Sequence, residues 1–178
     1  MAFSRRALFR KGLVGGALLA VGGVGVVALR GTRLGPEPRG RLALFSREEH
    51  AIFSAIANRI VPGDSAPANW PRAGDLDCAG KADAVLARIH PEAGAEFTQL
   101  LRLFENGMSG LLLGKRPAPF TSLEPAPQDE RLEAWRTSRV ALLRTGYQAF
   151  ARLAAATYYG SPEVYSLVGY PGPPEVPS

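Results

Sequence analysis

The sequence has very few of the side chains that bind metals and cofactors. Cys78 is its only cysteine, and His50 and His90 are its only histidines. A single cysteine excludes an internal disulfide, a cysteine-based zinc site and a C-x-x-C-H haem attachment. Neither histidine has a second ligand at the spacing of a zinc motif. His50 is expected near the polar side of the first helix. We therefore expect no metal and no cofactor in this chain.

The lone thiol of Cys78 has two interpretations. In an oxidising compartment it either pairs with a thiol of a partner protein, as an intermolecular disulfide, or remains free. A free cysteine usually behaves as a small buried apolar residue. This tendency favours a buried packing role for Cys78, and an intermolecular disulfide is the alternative.

After residue 30 the chain also lacks an excess of either positive or negative charge. Residues 1–30 contain five basic residues and no acidic one, and the remaining 16 Lys and Arg equal the 16 Asp and Glu. A nucleic-acid-binding domain keeps a basic surface after any leader is set aside. The balance therefore argues against a nucleic-acid partner.

Motifs of catalysis are absent or incomplete. There is no G-x-S-x-G elbow and no P-loop. The stretch from Asp75 begins like a calcium loop, but Leu86 stands where the closing glutamate is needed. Asp129, Glu130 and Glu133 cluster at a predicted helix start, where acidic side chains stabilise the helix dipole. Gly23 begins a G-x-G-x-x-A match, but the residues before it read as an export signal rather than as part of a βαβ unit. We expect no enzyme activity from the chain alone.

The N-terminus is typical of an export signal. Arg5 and Arg6 precede an uncharged apolar run from Leu13 to Leu29 that is diluted by glycines. A basic segment before an apolar one is a signal-peptide layout, and the arginine pair resembles a twin-arginine signal. We predict a signal peptide at residues 1–30. An uncleaved membrane anchor remains the alternative, because no clean cleavage site precedes Gly31.

The rest of the chain is predicted to be all-α, a small irregular helical domain with connections rich in proline and glycine. Residues 31–43 are a linker, and residues 44–178 form the helical domain with a proline-rich C-terminal tail. Ser46 and Glu49 form a capping box that predicts the first helix. Asp75 or Asp77 is expected to cap a second helix whose apolar positions are Ala82, Val85, Leu86 and Ile89.

Two further helical stretches are predicted in the second half of the domain. Pro91 is expected to open a third helix, because a first turn does not need its missing N–H. The last stretch runs from about Gln128 to Tyr159 with a break near Thr137. Trp135 lies on its packing face, Gly160 is expected as its C′ residue, and Pro162 prevents its continuation.

Two segments resemble the gluconate 2-dehydrogenase subunit 3 family, the small subunits of bacterial membrane-bound flavin dehydrogenases. The first is residues 44–64, which end in Ile-Val-Pro-Gly-Asp. The second is residues 120–174, which contain Tyr158-Tyr159, Ser161 to Tyr165 and the closing Gly-Tyr-Pro-Gly-Pro-Pro from Gly169. The twin-arginine leader and the length agree with this resemblance.

The resemblance implies a non-catalytic accessory subunit that supports maturation and twin-arginine export of a catalytic subunit. Its implied partners are a glucose–methanol–choline-type subunit that holds FAD, a multihaem cytochrome c with haem c, and the twin-arginine translocation machinery. It also implies a periplasmic complex associated with the inner membrane. A free-standing periplasmic helical binding or scaffold protein is the alternative.

The C-terminal tail is the predicted docking segment. Tyrosine is enriched in protein interfaces, and a proline-stiffened segment loses little entropy on binding. The candidate interface residues are Tyr158, Tyr159, Tyr165, Tyr170, Pro171, Gly172 and Pro173.

Overall fold

The computed structural model describes residues 31–63, 66–89, 91–107, 110, 114 and 117–173. Within these residues the chain is helical and has no strand, which confirms the all-α class. The elements are α1 (Arg47–Ile60), α2 (Cys78–Leu86), α3 (Pro91–Glu105), a 3₁₀ turn (Phe120–Ser122), α4 (Pro125–Arg136), α5 (Ala141–Tyr159) and α6 (Pro162–Tyr165).

One hydrophobic core joins these helices, and aromatic rings form its centre. The Phe97 and Phe150 rings meet edge to face with centroids 5.7 Å apart, and Phe104 and Trp135 do the same at 4.8 Å. Trp135 has no exposed surface, which confirms its predicted packing role. Edge-to-face contact is a favourable geometry for aromatic pairs, so these rings fix how α3, α4 and α5 pack.

The start of α1 follows the predicted capping box. The Ser46 N–H donates to Glu49 Oε2 at 2.7 Å, and the Glu49 N–H donates to Ser46 Oγ at 3.2 Å. The second helix begins after Asp77, whose side chain accepts the Gly80 N–H. Asp77 adopts a left-handed backbone conformation with φ of 50°, which its short polar side chain tolerates better than most.

Three local predictions differ from the structure. Val85 is 48% exposed and Ile89 is 45% exposed, and α2 ends at Leu86, so the buried stripe is narrower than predicted and Ile89 lies beyond the helix. Gly160 ends α5 with φ of −77° rather than in the left-handed region of a C′ glycine. The last helical stretch has the predicted break near Thr137, at residues 137–140, but its first helix begins at Pro125 rather than near Gln128.

The predicted linker, residues 31–43, lies against the helical domain. The Arg33 N–H donates to Thr121 Oγ1 at 2.8 Å. At the other end of the segment, three successive N–H groups, those of Ala43, Leu44 and Phe45, donate to the carboxylate of Asp83. Hydrogen bonds at both ends therefore position this segment before α1 begins.

Candidate partner-binding surface

The two adjacent tyrosines at the end of α5 have opposite environments. Tyr158 has no exposed surface, and its hydroxyl donates to the Pro71 carbonyl at 2.7 Å. Tyr159 is 39% exposed, and its hydroxyl donates to the Pro62 carbonyl at 3.2 Å. Tyr158 follows Phe150 and Ala154 at intervals of four on the buried stripe of the helix. The structure therefore places Tyr158 in the core, and we remove it from the candidate interface.

The tail after α5 has a defined conformation through Pro173. The Tyr165 hydroxyl donates to the Gly160 carbonyl at 3.1 Å, which folds α6 back onto the end of α5. The Tyr170 N–H donates to the Tyr165 carbonyl at 2.8 Å, and the two rings meet edge to face at 5.1 Å. Gly172, with φ of 101°, needs the left-handed freedom of glycine and lies beside the Tyr165 ring. The motif that carries the resemblance thus forms a compact turn.

This turn exposes large apolar side chains. Leu167, Val168 and Tyr170 are 38%, 44% and 43% exposed. We call these three residues, together with Tyr159, Tyr165, Pro171, Gly172 and Pro173, the C-terminal surface. Apolar and aromatic side chains grouped on a surface are characteristic of protein-binding sites.

Cys78 lies in the core, at 1% exposure. Burial raises the pKa of its thiol, and a hydrogen bond with Thr157 partly opposes that rise. A disulfide with another protein needs an accessible, ionisable thiol. This burial favours the packing interpretation of Cys78 over the intermolecular disulfide.

Two buried carboxylates accept hydrogen bonds from distant parts of the chain. Sequence patterns did not single out either residue. Asp83 Oδ2 accepts the Ala43 N–H at 2.7 Å, and its Oδ1 accepts the N–H groups of Leu44 and Phe45 at 2.8 and 2.6 Å. Glu105 accepts the Thr121 N–H at 3.0 Å and the Thr121 hydroxyl at 2.6 Å. Their partners are 16 to 40 residues away, so no local pattern reveals them.

A buried arginine accompanies Glu105. Arg131 has no exposed surface, and burial lowers the pKa of its guanidinium. Burial raises the pKa of Glu105, while the hydrogen bonds from Thr121 and the charge of Arg131 oppose that rise. The two residues belong to one buried ionic group between α3 and α4.

The other polar groups singled out in the sequence have structural contacts. His50 is buried, not on the polar side of α1, and its Nε2 lies 3.7 Å from Asp77 Oδ1. Asp129 pairs with Arg59 of α1. Within the described residues, no group of three or more His, Cys, Asp or Glu is placed to hold a metal ion. His90 lies outside the described residues.

One serine and lysine pair has the spacing of a nucleophile and a base. Lys81 Nζ donates to Ser161 Oγ at 2.6 Å. Ser161 has no exposed surface, and its hydroxyl donates to the Thr157 carbonyl at 2.8 Å. A nucleophile must reach its substrate. The buried Ser161 hydroxyl does not meet this requirement, and its contacts have a structural role at the junction between α5 and α6.

No family model, no curated protein and no solved structure matches this chain. None of the helices in the described ranges combines the length and apolar character needed to cross a membrane. Arg5, Arg6 and the apolar run of the predicted signal lie outside the described residues, so the choice between signal peptide and anchor remains a prediction.

Proposed function

We propose that this protein is the non-catalytic small subunit of a periplasmic, membrane-associated flavin-dependent dehydrogenase. Its role is to support maturation of the catalytic subunit and its export by the twin-arginine route. The observation that carries the proposal is the C-terminal surface, in which ordered contacts present apolar side chains to the outside.

The leader and the surface have complementary roles in this proposal. The twin-arginine route exports folded proteins, and a flavin protein folds around FAD before it crosses the membrane. A small subunit with an arginine pair at one end therefore needs a rigid docking surface for a folded partner. FAD belongs to that partner, a glucose–methanol–choline-type subunit, and haem c to a multihaem cytochrome subunit.

The docking surface is testable without deleting the tail. Deletion is a poor test, because Tyr158, Ser161 and Val164 have no exposed surface. We expect a Leu167→Asp, Val168→Asp variant to fold normally and to bind the proposed flavin subunit at least about tenfold more weakly, because burying two charges against an apolar surface is costly. Titration calorimetry with the purified flavin subunit measures the change.

A matched control exists at Val85, in the last turn of α2, and at Ile89, three residues after its end. Val85 and Ile89 are as exposed as the two tail residues, so Val85→Asp, Ile89→Asp makes the same chemical change elsewhere. This control is expected to bind normally. Equal weakening by both variants, or by neither, would exclude the C-terminal surface as the docking site.

Export is predicted to depend on the arginine pair. With Arg5→Lys and Arg6→Lys together, we expect both this chain and the flavin subunit to remain in the cytoplasm, because charge alone does not replace the twin-arginine motif. Cell fractionation with an assay of each subunit measures the outcome. Normal periplasmic arrival of the folded pair would contradict the twin-arginine assignment.

A free-standing periplasmic helical binding or scaffold protein is the second candidate. The observation in its favour is that residues of this chain alone bury Trp135, Phe104 and Phe150, so one core closes within it. The two candidates differ in the calorimetry experiment, because a free-standing protein does not bind the flavin subunit.

A further inference from the structure

An apolar groove of about 250 Å³ separates the first half of α3 from α5. Its walls are Ala93, Glu96, Phe97 and Leu100 on α3 and Leu142, Thr145, Gly146 and Ala149 on α5. Gly146 forms part of its floor, where an added Cβ would lie 2.8 Å from the Trp135 ring. The groove is thus supported by the core, and it shares no residue with the C-terminal surface.

The described chain begins near one end of this groove. An added Cβ on Gly31 would lie 2.8 Å from Pro119 Cγ. Pro119 precedes the 3₁₀ turn, whose Phe120 ring packs on Phe104 of α3 with centroids 4.6 Å apart. Phe104 follows Leu100 of the groove wall by four residues, so the two share a face of α3 and lie one turn, about 6 Å, apart. The residues that precede Gly31 are therefore attached close to the groove.

The predicted signal contains the longest uncharged stretch of the sequence. Its apolar run from Leu13 to Leu29 has 17 residues. Even at the short rise of an α-helix, about 1.5 Å per residue, such a run reaches about 25 Å, and α3 itself is about 22 Å long. The run is thus long enough to follow the whole groove from the end at which the described chain begins.

We propose that the groove binds the apolar run of this chain's own predicted signal, residues 13–29, before export. Apolar side chains of the run enter the recess between α3 and α5, which removes apolar surface of both from water. The occupant is a segment of the same molecule that is tethered beside the groove, so its effective concentration there is high. Docking withholds the run from membranes and from other chains until the export machinery displaces it.

The reactivity of a thiol in the run measures docking in the full chain. Leu19→Cys, Val21→Cys and Val24→Cys are made in separate variants, and the rate of reaction with a maleimide is measured. The native Cys78 is 1% exposed, and the wild-type chain gives its slow background rate. We expect at least one of the three thiols to react at least about tenfold more slowly than it does with Ala149→Asp added, because that change puts a charge in the groove wall.

Gln148→Asp is the matched control, because Gln148 is exposed beside Ala149 on α5 and does not line the groove. It should leave the protection unchanged. Ala93→Asp changes an exposed residue of the opposite wall and should also remove the protection. Circular dichroism checks that each variant is folded.

Three outcomes would overturn the proposal. The first is that none of the three thiols is protected. The second is that protection survives both groove variants or is lost equally in the control. The third is protection that increases with protein concentration, which would assign the groove to a second copy of the chain. None of these outcomes depends on the flavin subunit, so the proposed function is tested separately.

Discussion

Replacing Asp83 with asparagine is expected to lower the free energy of unfolding by about 3 kcal/mol. Asp83 is 2% exposed and accepts three successive backbone N–H groups. Asparagine has the same shape, but one of its two polar atoms is a donor that faces other donors. At least one buried N–H then loses its acceptor, and the segment that leads into α1 loses its attachment.

Two measurements distinguish the loss of the Asp83 hydrogen bonds from a nonspecific loss of stability. Urea unfolding gives the loss of stability, and hydrogen exchange at Ala43, Leu44 and Phe45 gives the local release. Asp75→Asn is the matched control, because Asp75 is exposed and its carboxylate accepts a single hydrogen bond, from the Arg72 N–H. We expect that variant to lose less than about 1 kcal/mol. Equal stability of the two variants would show that the Asp83 bonds contribute little.

Elements with local signals were predictable. The capping box at Ser46, the start of α3 at Pro91 and the burial of Trp135 each depend on residues within about one or two turns, and the structure has all three. Local hydrogen bonding and helical spacing therefore define most of the all-α fold.

Features that depend on distant residues were not predictable from these patterns. The pattern of α1 predicts His50 near the polar side, yet it is buried beside Asp77, which belongs to the turn before α2. The burial of Asp83 and Arg131 likewise depends on contacts with other parts of the chain. The position of Tyr158 is a different case, because its spacing of four from Ala154 already indicated the core.

The C-terminal surface also contains both residues that the sequence indicated and residues that it did not. Tyrosine, glycine and proline in the tail indicated a docking segment, and Tyr159 and Tyr170 are indeed exposed. The sequence alone did not indicate Leu167 and Val168, because two adjacent apolar residues after a short helix have no period.

The ionic group of Glu105 and Arg131 leads to the last prediction. Arg131→Met retains volume and removes the positive charge, which leaves Glu105 buried with the hydroxyls of Thr121 and Thr32 but without its charged neighbour. Breaking a buried ion pair by removing one partner costs about 3–5 kcal/mol. We expect a loss of that size near neutral pH. Arg136→Met, on the same helix, removes an exposed partner of Glu133 and is expected to change stability little.

The pH dependence distinguishes a charge effect from a packing effect. Burial raises the pKa of Glu105 above its ordinary value of 4.5, and the Arg131 charge opposes that rise. Without Arg131 the pKa rises further, so folded Glu105 holds its proton more tightly than the unfolded chain does. Protonation of Glu105 therefore stabilises the folded chain fully when the pH is below the pKa of Glu105 in the unfolded chain. This stabilisation disappears as the pH rises through the pKa of Glu105 in the folded chain. The Arg131→Met loss should therefore be clearly smaller in urea unfolding at about pH 5 than at about pH 8. Adding Glu105→Gln should remove most of this difference, and a loss independent of pH would assign the role of Arg131 to packing alone.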